Sequence, residues 1–224
     1  MLREALSGNI GIVEFITYAI SCIVVIFLTL PIHEYAHAFA AYKLGDNTAR
    51  YMGRLTLNPL AHIDWIGAAC ILFFGFGWAK PVPINSRYFK RGKTDVAITA
   101  FAGPLSNLIL AFLSVFLMFL SGYTLYKFSL VGLLIDFFFY VAIINIHLAV
   151  FNLIPIPPLD GSKILAAVLP NSIYYKIMQY EKYVYIVLIV LLYTGILSGP
   201  LSNVSNAIYS AFCRLFSMIF SLFI

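Results

Sequence analysis

Apolar residues run almost unbroken from Ile10 to about Leu44, interrupted only by Glu14, Pro31 and a polar cluster at His33–His37. At a rise of ~1.5 Å per residue this is longer than a bilayer core requires. The pattern predicts either one long helix kinked near Pro31 or a span followed by a second helical piece. Gly45, Asp46 and Asn47 end it. Arg54 to Asn58 alternates polar and apolar positions, the period of a short strand. Residues 66–79 are apolar but short and hold three glycines, and a basic, proline-rich stretch (KPVPINSRYFKRGKTD) follows. Residues 95–121 and 130–154 predict a second and a third span, separated by a polar-proline turn (IPIPPLDGSK) from a fourth at 183–198. The apolar tail from Ile208 to Ile224, with Arg214 inside it, is either a fifth span or an interfacial helix.

Composition agrees with lipid as the solvent for these segments. Hydrophobic residues make up 62% of the chain and charged residues 10%, with mean hydropathy +0.95; soluble domains run at about 45–50% and about 25%. The expected fold class is an all-α polytopic membrane protein of roughly 4–6 transmembrane helices, with a short strand or re-entrant element near residues 50–80. One integral-membrane domain is expected over residues 1–224, its motif-bearing core at about 15–165.

The net charge of +5 does not point to nucleic acid, because the basic residues sit in short loops where they set orientation. The loops at 43–54 and 80–93 both read as cytoplasmic, so the segment between them is expected to be re-entrant or a short buried hairpin. The loop at 122–129 is expected outside, and the stretch 161–182, with Lys163, Lys176 and Lys182, inside. Cys22, Cys70 and Cys213 form no CxxC pair and support neither a disulfide framework nor a thiolate site. Met1 to Ile10 lacks the features of a secretory leader, so the first apolar segment is expected to be retained.

Chemistry concentrates at His33-Glu34-Tyr35-Ala36-His37. Residues four apart share a helix face, so the two imidazoles can bind one metal ion. Glu34, next to the first histidine, can reach a metal-bound water as general base. A carboxylate within an apolar segment costs roughly 2.5–3.5 kcal/mol on insertion scales, and a divalent cation compensates for it. The plainer alternative is a polar helix end at the interface near Lys43.

Zinc with three protein ligands leaves a fourth position for water. The candidate third ligand is Asp160, held in a turn that Pro155, Pro157 and Pro158 stiffen. The alternative is that Asp160 caps the helix after it. If the first and third spans run in the same direction, His33, His37 and Asp160 meet at one depth. Gly103 to Asn107 then begins at that depth as well.

Together HEYAH, the segment Ala102 to Asn107 and NLIPIPPLDG resemble the site-2 protease family of intramembrane zinc metalloproteases (peptidase M50). The likeness covers about residues 30–165 and is closest to the minimal prokaryotic branch without PDZ or CBS domains. It implies an integral membrane protein of the prokaryotic plasma membrane, and the loop charges are expected to set its active site toward the cytoplasmic side. It further implies one Zn2+ per chain, Glu34 as base and proton shuttle, and His33, His37 and Asp160 as ligands. Asn107 and Asn152 would orient substrate or stabilise an oxyanion, unless they serve as helix–helix hydrogen bonds. The implied substrates are single-span membrane proteins or remnant signal peptides, for which residues 53–57 offer a strand to pair with.

A membrane metal-ion transporter or sensor, or a proteolytically inactive membrane scaffold, are the rival readings. His62 is expected at the interface, His147 as an interhelical hydrogen-bonding residue, and Asp136 near the outer face.

Overall fold

The structure, a computed structural model, describes residues 11–74, 77–170, 172–173 and 179–222. Met1 to Ile10, Gly75 and Phe76 of the short apolar segment, Lys176 and the last two residues lie outside them.

The first apolar run is one helix in two parts. α1 (Ile12–Val24) passes through a π turn at Val25–Thr29 into α2 (Leu30–Lys43). Pro31 has no N–H to donate, and its ring would press on the carbonyl one turn back. The wider turn absorbs this: Leu30 donates instead to the carbonyl of Val25, five residues back. Among the described residues, three helices are long and apolar enough to cross a membrane: the continuous stretch Ile12–Lys43, α6 (Lys93–Thr124) and α7 (Val131–Asn152).

Between the first two of these lie the short helices α3 (Thr48–Tyr51), α4 (Pro59–His62) and α5 (Trp65–Phe74). α5 is only ~15 Å long, half a bilayer core. Its Gly67 lies against the backbone of Trp78, and Gly77 against the backbone of Gly67, so closely that a methyl group at either would overlap the other strand of chain. The N–H of Lys80 donates to the carbonyl of His62 (2.8 Å). The segment therefore enters and leaves on the same side, as the loop charges require.

No strand forms among the described residues, and the alternation at Arg54–Asn58 produces an irregular turn instead. The neighbouring segment cannot supply a ladder, because Pro81 and Pro83 lack N–H groups. A side chain bridges the two segments in place of backbone bonds: the guanidinium of Arg54 donates to the carbonyls of Lys80 and of Pro81, the latter at 3.2 Å. The docking role expected of residues 53–57 thus has no strand to rest on.

The bundle places α6 antiparallel to α2, and α7 parallel to α1 and α2. Ser21 donates to the carbonyl of Phe137 and Asn145 to the hydroxyl of Thr29, both at 3.3 Å, an equal advance along both chains. After the proline turn, α8 (Asp160–Val168) leads to α9 (Glu181–Tyr193) and α10 (Ser198–Phe220). The fourth and fifth segments thus divide differently from expectation. The polar residues at 198–206 belong to a helix that continues into a mostly apolar stretch, not to a loop. α10 runs parallel to α6, with Phe112, Phe116 and Phe119 beside Phe212, Phe216 and Phe220 at ring separations of 5.3, 5.6 and 5.9 Å.

Candidate metal centre

α2 carries His33 and His37 on one face, and α8 opens on Asp160. The Nε2 atoms of the two histidines are 3.0 Å apart, and Oδ2 of Asp160 lies 3.0 Å from His37 Nε2 and 3.4 Å from His33 Nε2. Among the described residues these are the one set of three side chains placed to hold a metal ion. Ligands around a tetrahedral ion with bonds of ~2.0–2.1 Å sit ~3.3 Å from one another, so the triangle has the size such an ion needs. The donor set, two imidazoles and a carboxylate, also suits one.

All three side chains and Glu34 are buried, at 7% exposure or less. The alternative that the cluster is a solvated helix end is therefore set aside. So is capping: Asp160 is the first residue of α8, and its carboxylate meets the imidazoles and Lys163 (3.2 Å) rather than the helix N–H groups. Burial opposes its ionisation. The imidazole of His37, hydrogen bonds from both histidines and the ammonium of Lys163 outweigh that and hold the carboxyl far below its usual range.

α6 forms the floor. Gly103 lies under both rings, and a methyl group there would overlap the Nε2 of His37 and come within 2.6 Å of that of His33. One turn earlier, the carbonyl of Thr99 accepts from Nδ1 of His37 (2.8 Å), which leaves Nε2 for the cluster. One turn later is Asn107, fully buried, with neither side-chain atom partnered. Asn152 differs. Its amide donates to the carbonyl of Leu148 (2.9 Å) on its own helix and turns along α7.

Glu34 faces the segment after α5. Its Oε2 accepts the N–H of Val82 at 2.9 Å, and Val82 packs with Ala38 and Ala49. Arg54, Asp46 and His62 pin the same segment, Asp46 through the N–H of Asn85 (2.6 Å). His62 is fully buried rather than interfacial, with its Nε2 on the carbonyl of Thr56 (2.8 Å). His147 is satisfied within its own helix, by the carbonyl of Ile143 (2.8 Å), rather than between helices. Asp136 is exposed near the start of α7, far along the helix from Asn152.

The sequence does not mark Thr99 or Val82, and it marks Lys163 and Arg54 only as loop charge and part of the alternating stretch, not as neighbours of the site. A signal did exist for Thr99. Asp95, Thr99, Gly103 and Asn107 recur every four residues and are all buried on α6.

Comparison with known proteins gives the family of the chain. The chain is 42% identical over 213 residues to "Putative zinc metalloprotease YwhC" of Bacillus subtilis, covering 92% of this chain and 97% of that one. It is 26% identical over 186 residues to "Putative zinc metalloprotease Rip2" of Mycolicibacterium smegmatis, covering 76% and 66%. It is 44% identical over 143 residues to "Putative zinc metalloprotease MJ0611" of Methanocaldococcus jannaschii, covering 59% and 62%. No solved structure matches the chain. The profile of Peptidase family M50 matches residues 127–195, which include Asp160, and the likeness to YwhC extends over nearly the whole chain. On these grounds the chain belongs to peptidase family M50.

Proposed function

We propose that this integral membrane protein is a zinc-dependent intramembrane endopeptidase that binds one zinc ion per chain through His33, His37 and Asp160. The observation that carries the reading is the convergence of two Nε2 atoms and one carboxylate oxygen from α2 and α8 within a buried triangle, with Glu34 beside it. When bound there, zinc lowers the pKa of a water to near neutrality and polarises a carbonyl. Glu34 takes the proton of the attacking water on its carboxylate and passes it to the departing amide nitrogen. The N–H of Val82 fixes the carboxylate in place between these transfers. Asn107, with its amide unspent, donates to the negative charge that develops on the scissile carbonyl oxygen.

Depth supports a substrate within the membrane. His33 lies roughly 15 Å along the helix from Lys43, and the cluster is enclosed by helices long enough to span. Single-span membrane proteins or remnant signal peptides are the substrates that reach such a site. The basic loops at 43–54 and 80–93 orient its mouth toward the cytoplasm of a prokaryotic cell.

The test is metal content and cleavage of single-span substrates by the protein in lipid bicelles. Glu34→Gln keeps its zinc and loses about 10²–10⁴-fold in cleavage, and Asp160→Asn loses the zinc. Undiminished cleavage by Glu34→Gln would overturn the assignment, and metal flux across vesicles without cleavage would favour a transporter.

A further inference from the structure

His33 and His37 enter the cluster through the same ring nitrogen but differ in what holds the other one. Nδ1 of His37 donates to the carbonyl of Thr99. Nδ1 of His33 is buried and has no partner. An imidazole that offers Nε2 to a metal carries its proton on Nδ1, so this atom is a donor whose acceptor must be found.

The complementary atom is on α7. Asn145 is fully buried, and its Oδ1 is likewise without a partner. The orientation of the amide is fixed by the carbonyl of Val141, which accepts from Nδ2 at 2.8 Å and would repel an oxygen; Nδ2 also donates to Oγ1 of Thr29 (3.3 Å). Thr29 stands one turn before His33 on the same face. Helical side chains lean toward the N-terminus of their helix, which carries the His33 ring back over the turn that Asn145 touches.

We propose that Asn145 is a positioning residue for His33. Its Oδ1 accepts, across one buried water, the Nδ1 proton of His33. The water has three polar partners, Asn145 Oδ1, His33 Nδ1 and the Thr29 hydroxyl, the number a buried water commonly makes. Asn145 thereby does for His33 what the Thr99 carbonyl does for His37, selecting the tautomer and ring orientation that turn Nε2 to the ion. The inference rests on the reading of His33, His37 and Asp160 as zinc ligands.

Zinc affinity is measured by competition with a chromophoric chelator on the full chain in bicelles. Asn145→Ala weakens zinc by about 10–100-fold, the usual effect of losing such a partner. A second measurement does not depend on a variant that folds: nitrogen NMR of histidine-labelled, zinc-loaded wild type. There His33 shows Nε2 metallated and an Nδ1–H that is hydrogen-bonded and protected from exchange, and in Asn145→Ala that protection is lost. Asp160→Ala serves to separate the two ideas. If wild type binds zinc, Asp160→Ala does not, and Asn145→Ala binds as wild type does, the role of Asn145 falls alone. A fast-exchanging His33 Nδ1–H in wild type also overturns it. If Asp160→Ala binds zinc as wild type does, the ligand assignment itself falls.

Discussion

A glycine in mid-helix costs about 1 kcal/mol against alanine, yet at Gly103 the usual sign reverses. The added methyl would meet both imidazoles, so Gly103→Ala gains helix propensity and loses the metal site. The expected outcome is zinc content near zero by elemental analysis, with the helical signal of the protein retained. The other test at this scale is His62. Burial, then the neighbouring Arg54, push its imidazole below the ordinary 6.5 despite the Thr56 carbonyl. A lowered folded value means the neutral ring is the native one. Its contribution to stability is complete above about 6.5 and is lost as pH falls through the folded value. Melting temperatures followed from pH 8 to pH 5 should fall further for wild type than for His62→Gln, which keeps a donor for Thr56. Residue chemistry was legible where side chains carry it at helical spacing, as at His33, Glu34 and His37, and where prolines lock a turn, as at Asp160. The Thr99 carbonyl and the Val82 N–H were not legible, because backbone groups leave no mark in composition.

At the scale of elements, the segment after α5 couples Glu34 to its surroundings. Its Val82 N–H is a hydrogen bond to a carboxylate, of a kind worth about 1.5–3 kcal/mol. Val82→Pro removes that donor between two residues that already lack one. Cleavage should fall about 10–100-fold with zinc content unchanged, as read by turnover and elemental analysis on the same samples. The membrane-crossing helices and the short re-entrant piece were readable from length and loop charge. The strand at 54–58 was misread because period two describes a surface to be paired, and the facing residues are prolines and an arginine contact. The boundaries of α10 were missed because its polar residues at 198–206 resemble a loop when the aromatic face beyond them is not yet known.

For the whole molecule, the three candidate ligands come from two parts of the chain far apart in sequence, so an ion bound there would also join them. Zinc that binds the folded state alone adds ~2.7 kcal/mol at 100 times its dissociation constant. The melting temperature should rise on adding zinc, return on chelation, and stay flat in His37→Ala. That the first and third spans are parallel was inferable from the side on which each ends. The hydrogen-bonded register between them, Ser21 on Phe137 and Asn145 on Thr29, needed coordinates.

The π turn ahead of Pro31 has a consequence for how insertions and deletions act on this chain. It works as a phase shifter: the extra residue rotates α1 relative to α2 by about a hundred degrees, one residue's worth of helix. Upstream, Tyr18 and Ser21 engage α7; downstream, His37 engages α6. Removing a single amino acid from 25–29 would leave either gear in mesh but not both, although no residue of the candidate metal cluster had been touched.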